Sequence, residues 1–172
     1  MTQTVPNINF VFREFGEFVT RSTEELFSGK RVVIFSLPGA FTPTCSNKQL
    51  PSFDHLYQEF IDFGIDEVYC ISVNDAFTMN AWARDLNVAR VKLIPDGNAE
   101  FTTGMGMLVA KSNLGFGNRS WRYAAVVNDG TIEWMVEEPG RRDNATEDPY
   151  VATTPEAVLE YVKSTVRETS QV

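Results

Sequence analysis

The sequence predicts an α/β fold in which a central mixed sheet is flanked by helices and preceded by an N-terminal β-hairpin. Short apolar runs rich in β-branched residues are typical of strands that are buried on both faces. These runs alternate with segments of helical periodicity, as expected of parallel strands covered by helices. A strong hairpin signal near the C-terminal end requires antiparallel strands as well. The sheet must therefore be mixed.

The first half of the chain supplies the hairpin, two strands and three helices. Alternating apolar residues on both sides of Gly16 predict the hairpin, and Ser22 with Glu25 forms a capping-box pattern that opens a brief helix. A longer helix is predicted over 45–63, with a kink or a break at Pro51, which has no backbone N–H to donate. The other predicted elements of this half are strands over 32–35 and 68–73, and a helix over 76–86 that Asn74 and Asp75 cap.

The second half supplies a hairpin and a final helix. Strands over 122–127 and 131–136 flank Asn-Asp-Gly at 128–130, which is a strong turn signal. Thr154 followed by proline reads as the N-cap and first position of a helix over 155–166. The other predicted segments are a short strand over 92–95, a Gly-rich loop with one turn of helix over 104–117, and a polar loop over 139–149.

The order of these elements is β-α-β-α, then a connection, a β-hairpin and a last helix. A βαβ unit joined to a ββα unit is what a thioredoxin-like fold requires, although this order alone is also compatible with other α/β folds. The right-handed crossover places the Cys45 helix against one face of the sheet. The chain contains no internal repeat and no linker long enough to divide it. We therefore expect residues 1–172 to form a single domain.

Composition excludes several classes of function. Of the 172 residues, 23 are acidic and 15 are basic, and the net charge of −8 disfavours a protein that binds phosphate backbones. No apolar run approaches the ~18 residues of a membrane span. The N-terminus shows no charged and apolar pattern of a secretory signal. We expect a cytoplasmic protein with neither nucleic acid nor a membrane as its partner.

The chain has two cysteines, Cys45 and Cys70, and one histidine, His55. A structural zinc site needs about four Cys or His ligands, so we expect no metal site and no cofactor. A disulfide scaffold is equally excluded at this cysteine density. His55 lies ten residues of helix beyond Cys45, roughly 15 Å away at 1.5 Å per residue, which excludes a Cys–His dyad on a continuous helix.

The stretch 35–45, FSLPGAFTPTC, contains the residues that we expect to react. A buried strand ends, a rigid Pro/Gly loop follows, and Cys45 lies at the start of a helix. The unpaired N–H groups and the dipole of that helix start favour a thiolate over a thiol, and they also bind a polar oxygen brought to the sulfur. Thr42 precedes Cys45 by three residues and can direct its hydroxyl toward the sulfur. A cysteine at such a junction is often only a small buried hydrophobe, but the shaped loop favours a function.

The pattern Pro38-x-x-x-Thr42-x-x-Cys45 resembles the active-site motif of the peroxiredoxins, and the whole run 38–45 is similar to the peroxiredoxin-5 type. The resemblance continues in three further blocks and covers roughly residues 5–166. The blocks are 73–77 (VNDAF), 80–82 (NAW) and 117–123 (GNRSWRY).

This resemblance implies a thioredoxin-like thiol peroxidase. Cys45 would attack the O–O bond of hydrogen peroxide or an organic hydroperoxide and become a sulfenic acid. Thr42 would orient the peroxide, and Pro38 would shield the site from water. Arg122 would hold the thiolate and stabilise the leaving oxygen, with Arg119 as the rival for that role.

The family also implies partners. A peroxiredoxin that recycles itself needs a second, resolving cysteine in its C-terminal third, but no cysteine follows Cys70, which lies in an apolar strand. The resemblance therefore implies a one-cysteine mechanism with glutathione as the reducing co-substrate, alone or with glutaredoxin. The alternatives are reduction by thioredoxin, and a peroxide sensor or holdase that signals through oxidised Cys45. A thioredoxin-type oxidoreductase would need Cys-x-x-Cys, whereas Ser46-Asn47-Lys48 follows Cys45.

A homodimer is typical of the family. Aromatic residues predicted on loops near the site would suit its contact. These residues are Phe41, Phe77 and Phe116.

Overall fold

A computed structural model describes residues 3–170 of the chain, with side chains up to residue 166. This part of the chain contains ten strands and six α-helices, together with one π-helical and one 3₁₀ turn. The strands are β1 (Gln3–Thr4), β2 (Asn9–Glu14), β3 (Glu17–Ser22), β4 (Arg31–Ser36), β5 (Glu67–Ser72), β6 (Lys92–Pro95), β7 (Leu108–Ala110), β8 (Asn118–Ser120), β9 (Tyr123–Asn128) and β10 (Thr131–Glu137). The helices are α1 (Thr23–Phe27), α2 (Leu50–His55), α3 (Tyr57–Asp62), α4 (Ala76–Asp85), α5 (Glu100–Gly104) and α6 (Pro155–Ser170).

Six strands form the central sheet in the order β1-β10-β9-β4-β5-β6. The β4, β5 and β6 strands pair in parallel, while β9 pairs antiparallel with both β4 and β10. The sheet is therefore mixed, as predicted. The crossover from β4 to β5 runs through α2 and α3, which lie together on one face of the sheet.

Two apolar clusters fill the two faces of this sheet, because successive residues of each strand point to opposite sides. Along β4, Val33 and Phe35 belong to the cluster under α2, α3, α4 and α6, whereas Val32 and Ile34 belong to the other. The second cluster is covered by α1, α5 and the residues of the N-terminal hairpin. Burial on both faces explains why the sequence of β4 is apolar without alternation.

The predicted local signals are confirmed. The β2 and β3 strands form the N-terminal hairpin as a separate two-stranded sheet. The Ser22 side chain accepts from the backbone of Glu25 and the reciprocal bond is present, so the capping box opens α1. Asp75 caps α4 by accepting from the backbone of Thr78, and Thr154 accepts from the N–H of Ala157 at the start of α6.

Two predictions need correction, and three short elements were not predicted. The stretch 104–117 contains strand β7 as well as the expected helical turn at Ser112–Leu114, and β7 pairs with the unpredicted β8. The α5 helix and the edge strand β1 were not predicted, since both are too short to show a periodicity. Arg122 precedes β9, which begins at Tyr123. Within residues 3–170, no helix is long and apolar enough to cross a membrane.

Candidate active site

The Cys45 segment follows the carboxyl end of β4, at the edge of the sheet where the parallel strands end. Residues 43 and 44 begin a helical run that continues as a π-helical turn over Cys45–Gln49 and then as α2. The first helical hydrogen bond runs from the N–H of Ser46 to the carbonyl of Thr42. The N–H groups of Thr44 and Cys45 precede it and have no acceptor within the helix. Cys45 thus lies at a helix start, as predicted.

The helical run changes geometry just before Pro51. The N–H of Leu50 reaches back five residues to the carbonyl of Cys45, which gives the π-helical turn, and Pro51, which has no N–H to donate, is the second residue of α2. The helix predicted over 45–63 is therefore irregular at Pro51 but continues through it, and its interruption lies at Leu56, which separates α2 from α3. Stacking of Phe35 on Phe53, with ring centroids 3.9 Å apart, fixes α2 to the sheet.

The loop before Cys45 is held from the neighbouring strand and helix. The Asn74 side-chain carbonyl, just beyond β5, accepts from the N–H of Ala40 at 3.0 Å and from the hydroxyl of Ser72 at 2.6 Å. The indole of Trp82 in α4 donates to Ser46 at 2.8 Å. The blocks 73–77 and 80–82 therefore brace the active-site loop and the helix start.

Arg122 reaches Cys45 because of the strand register. Tyr123, the first residue of β9, pairs with Ser36, the last residue of β4, so the residue before β9 lies beside the loop that follows β4. The Nη2 atom of Arg122 donates to the Cys45 sulfur at 3.4 Å. Both residues are buried, and Arg122 is only 2% exposed.

The remaining donors of Arg122 are also occupied. Its Nε donates to the side-chain oxygen of Gln49 at 2.8 Å, and its Nη1 donates to the carboxylate of Asp148 at 2.6 Å and to the carbonyl of Pro149 at 2.8 Å. The ring of Tyr150 lies 5.7 Å from the guanidinium carbon. Burial acts to lower the pKa of Arg122, but Asp148 and the charge on Cys45 outweigh it and raise that pKa.

Gln49 is fully buried and has one unused donor. Its oxygen must accept from Arg122, so its Nε2 is the free end of the amide, and this atom has no hydrogen-bond partner among residues 3–170. Gln49 lies four residues after Cys45 on the same face of the helical run. That spacing was the one sequence signal that could have identified it.

Thr42 and Pro38 lie on the loop as the motif predicts. The Thr42 hydroxyl donates to the carbonyl of Gly39 at 2.7 Å, which leaves the lone pairs of its oxygen to accept from another group. Pro38 is buried, and its carbonyl accepts from Nη1 of Arg119 at 3.1 Å. Arg119 therefore braces the loop, whereas Arg122 contacts the sulfur.

The other candidate residues lie apart from this chemistry. His55 is exposed at the end of α2, which agrees with its predicted position on the helix surface. Cys70 is buried in β5 and is a free thiol, like Cys45. Burial, with a smaller contribution from the charge on Cys45, raises the pKa of Cys70 well above its usual value. Within residues 3–170, no group of His, Cys, Asp and Glu could hold a metal ion.

Two further residues near the site were missed at the level of sequence. Asp148 lies on the polar loop 139–149, where nothing distinguishes it from the neighbouring charges. Lys111 is 3% exposed, and its ammonium lies 5.4 Å from the centre of the Trp121 ring. Burial lowers the pKa of Lys111, while the charges of Asp148 and Cys45 act to raise it.

Comparison with known proteins agrees with the family resemblance seen in the sequence. The Redoxin family matches residues 3–153. Peroxiredoxin y4vD of Sinorhizobium fredii is 63% identical over 144 residues, which are 84% of this chain and 77% of that protein. This chain belongs to the peroxiredoxin family. As a peroxiredoxin it is a thiol peroxidase, and its mixed sheet flanked by helices is the thioredoxin-like fold that the sequence predicted.

Two solved peroxiredoxin structures superimpose closely. The Plasmodium falciparum antioxidant protein, a 1-Cys peroxiredoxin, is 35% identical with a TM-score of 0.90 and covers 95% of this chain and 99% of its own. Reduced Prx3 of Vibrio vulnificus in complex with hydrogen peroxide is 33% identical with a TM-score of 0.85, over 95% of this chain and 96% of its own.

Proposed function

We propose that Cys45 is the peroxidatic cysteine of this peroxiredoxin and that an external thiol, glutathione, recycles it. The main support for this proposal is the hydrogen bond from Arg122 to the Cys45 sulfur. It places a permanently charged group beside one of the two buried thiols. The thiolate attacks one peroxide oxygen, so that an S–O bond forms and the O–O bond breaks. The leaving oxygen takes a proton and departs as water or an alcohol, and Cys45 becomes a sulfenic acid.

Thr42 orients the peroxide in this proposal. Its hydroxyl hydrogen is directed to the Gly39 carbonyl, so its oxygen is free to accept from the peroxide O–H. The N–H groups of Thr44 and Cys45 at the helix start are suited to the negative charge that develops on the oxygens. Pro38, buried beside them, excludes water from the sulfur.

Arg122 holds the thiolate and stabilises the leaving oxygen. Its guanidinium is buried and fully engaged with Gln49, Asp148 and Pro149, so its position is set before the peroxide arrives. A charge held in advance in a site that excludes water is the most effective form of transition-state stabilisation. Arg119 contributes through the loop, because it contacts Pro38 and not the sulfur.

The reductant is an external thiol because no second cysteine is suited to resolve the sulfenic acid. No cysteine follows Cys70 in the sequence, and Cys70 is fully buried in β5. Glutathione, a small thiol, condenses with the sulfenic acid to form a mixed disulfide and water. A second glutathione, or glutaredoxin, then attacks that disulfide and releases the Cys45 thiol. We place this cycle in the cytoplasm, where thiols are kept reduced.

Steady-state peroxide consumption tests the reductant directly. We expect turnover with glutathione, faster turnover when glutaredoxin is added, and a Cys45–glutathione mixed disulfide by mass spectrometry of the peroxide-treated protein. Excess peroxide without a thiol should convert Cys45 to sulfinic and sulfonic acid. Turnover with thioredoxin alone would replace the reductant in this proposal, and slow turnover with every thiol would favour a peroxide sensor or holdase. A Cys45–Cys70 disulfide that forms at the turnover rate would exclude the one-cysteine cycle.

We also propose a homodimer whose contact includes exposed aromatic residues: Phe41 on the active-site loop, together with Phe18 and Phe77. Phe41 and Phe77 are 50% and 56% exposed, and Phe18 packs edge-on against Phe77 with ring centroids 5.9 Å apart. Phe116, predicted to belong to this surface, is only partly exposed. Light scattering after gel filtration should give twice the chain mass for the wild type. Phe77→Asp, which introduces a charge on the surface, should give the monomer, whereas a wild-type protein that is itself a monomer would exclude the dimer.

A further inference from the structure

The polar loop between β10 and α6 brings a carboxylate into contact with the active-site arginine. Both oxygens of Asp148 face the guanidinium of Arg122, Oδ1 at 2.6 Å from Nη1 and Oδ2 at 3.3 Å from Nη2. The same Nη2 atom donates to the Cys45 sulfur at 3.4 Å. The Nη2 atom of Arg122 therefore contacts both the Cys45 sulfur and the Asp148 carboxylate.

We propose that Asp148 is a positioning residue of the peroxidase reaction, which holds the plane of the Arg122 guanidinium so that Nη2 faces the sulfur. The proposal rests on the roles proposed above for Cys45 and Arg122. A guanidinium is planar, and two parallel contacts to one carboxylate fix its orientation in a way that one contact cannot. Gln49 holds Nε on the opposite edge, so Asp148 and Gln49 together determine the direction of Nη2.

The loop that carries Asp148 is itself fixed to the fold. The buried carboxylate of Glu138 accepts from the backbone N–H groups of Val151, Ala152 and Thr153. Burial acts to raise the pKa of Glu138, but these hydrogen bonds outweigh it and lower that pKa. A charged anchor with several donors stabilises the loop conformation. Asp148 is 48% exposed, and the residues that follow it, 151–153, are tied to Glu138.

A neighbouring ion pair shows what an ordinary surface carboxylate looks like on the same loop. Glu147 pairs with Arg142, and both side chains are more than half exposed. Such a pair contributes little to stability. Among the described side chains, the hydrogen bond and ion pair of Glu147 involve Arg142 and not Arg122 or Cys45. Glu147 therefore provides a matched control, because its replacement by glutamine removes the same charge one residue from Asp148.

Asp148 can affect the reaction in two ways, through the fraction of Cys45 that is ionised and through the orientation of Arg122. These two effects can be separated. The cations that interact with Cys45 are Arg122, Arg119 and Lys111, and Asp148 is the carboxylate that faces Arg122. Replacing Asp148 by asparagine removes a negative charge, which favours the thiolate, and it loosens the guanidinium that donates to the sulfur, which disfavours the thiolate. A positioning role therefore predicts a slower reaction with peroxide even where Cys45 is fully ionised, because Nη2 is no longer held toward the reacting atoms.

The test uses the full chain as wild type and as Asp148→Asn, Asp148→Glu, Glu147→Gln and Cys45→Ser. Stopped-flow mixing of the reduced protein with hydrogen peroxide gives the single-turnover rate, and iodoacetamide labelling of Cys45 against pH gives the midpoint of thiolate formation. Loss of partners that orient metal ligands costs about 10–100-fold, and we expect a similar slowing for Asp148→Asn. Rates are compared on the high-pH plateau of the labelling curve, where the thiolate fraction is the same in every variant. Asp148→Glu should lie between wild type and Asp148→Asn, and Glu147→Gln should match wild type.

A wild-type peroxide rate in Asp148→Asn would overturn the proposal. So would a slower rate that disappears once Cys45 is fully ionised, because Asp148 would then act only through the thiolate fraction and not on the step that breaks the O–O bond. An equal loss in Glu147→Gln would point to net charge instead. If Cys45→Ser retained turnover, the proposed function itself would fail, and this result is separate from any behaviour of Asp148.

Discussion

Cys45 and Cys70 are both free thiols, both fully buried, and both members of the same apolar cluster. They differ in what surrounds the sulfur. Cys45 lies at a helix start and accepts a hydrogen bond from a buried guanidinium. Cys70 lies within β5, paired in register with Phe35 of β4, and burial raises its pKa.

This comparison separates burial from reactivity. Burial by itself stabilises the neutral thiol, which is poorly nucleophilic. A buried cysteine becomes reactive when the fold also supplies a cation and free N–H groups, and these features reach Cys45 through the β4–β9 register and the helix start. The predictions below remove these features one at a time, from the largest expected effect to the smallest.

Removing the sulfur from each cysteine should give the largest contrast. Cys45→Ser should abolish peroxide consumption, because a serine hydroxyl is a poor nucleophile toward an O–O bond, while the fold stays intact. Cys70→Ser should leave glutathione-supported turnover nearly unchanged. A coupled assay for peroxide loss, with circular dichroism for folding, measures both variants. Most of the wild-type turnover in Cys45→Ser would contradict the assignment of the reacting residue.

Removing the cation should give the next largest effect. Arg122→Gln should slow the single-turnover reaction with peroxide by about 10²–10⁴-fold, as loss of a preorganised charged donor does. It should also move iodoacetamide labelling of Cys45 to higher pH, because the thiolate loses its hydrogen-bonded cation. Arg119→Gln is the control, since Arg119 contacts Pro38 and not the sulfur. If Arg119→Gln had the larger effect on both measurements, the roles of the two arginines would be reversed.

Removing the hydroxyl of Thr42 should have a smaller effect. Thr42→Val keeps the shape of the side chain but cannot accept a hydrogen bond from the peroxide. We expect the single-turnover rate to fall about tenfold, the equivalent of about 1.4 kcal/mol for one neutral hydrogen bond. Thr42→Ser keeps the hydroxyl and should restore most of the rate. Equal rates for the valine and serine variants would show that the hydroxyl takes no part in the reaction.

Replacing Cys70 should have the smallest effect on activity but a measurable effect on stability. Cys70→Ser places a hydroxyl in an apolar cluster and should lower the free energy of unfolding by about 1–3 kcal/mol. Cys70→Ala, which adds no polar group, is the matched control and should cost less than the serine variant. Urea unfolding at fixed pH compares the three proteins. Cys70 should also resist labelling in the folded wild type, because its pKa is raised by burial, and rapid labelling would show that its thiol is accessible.

Sequence alone was sufficient for the features that depend on neighbouring residues. The hairpin around Gly16, the capping box at Ser22, the helix irregularity next to Pro51 and the N-cap at Thr154 all follow from local backbone chemistry. The motif at 38–45 was equally local, since a strand end, a rigid loop and a helix start are adjacent in the chain. Cys45, Thr42 and Pro38 could therefore be proposed as site residues from sequence before any contact was known.

Tertiary structure decided what depends on distant segments. Strands β7 and β8 are three residues each, and their mutual pairing defines them more than their own composition does. The choice between Arg122 and Arg119 depended on the pairing of Ser36 with Tyr123, which no local pattern encodes. Asp148 reaches the site from a polar loop, and the residues that follow it, 151–153, are bound by Glu138. Local propensities act within a few residues, whereas a buried charge finds its partners only after strand register and loop closure have brought remote residues together.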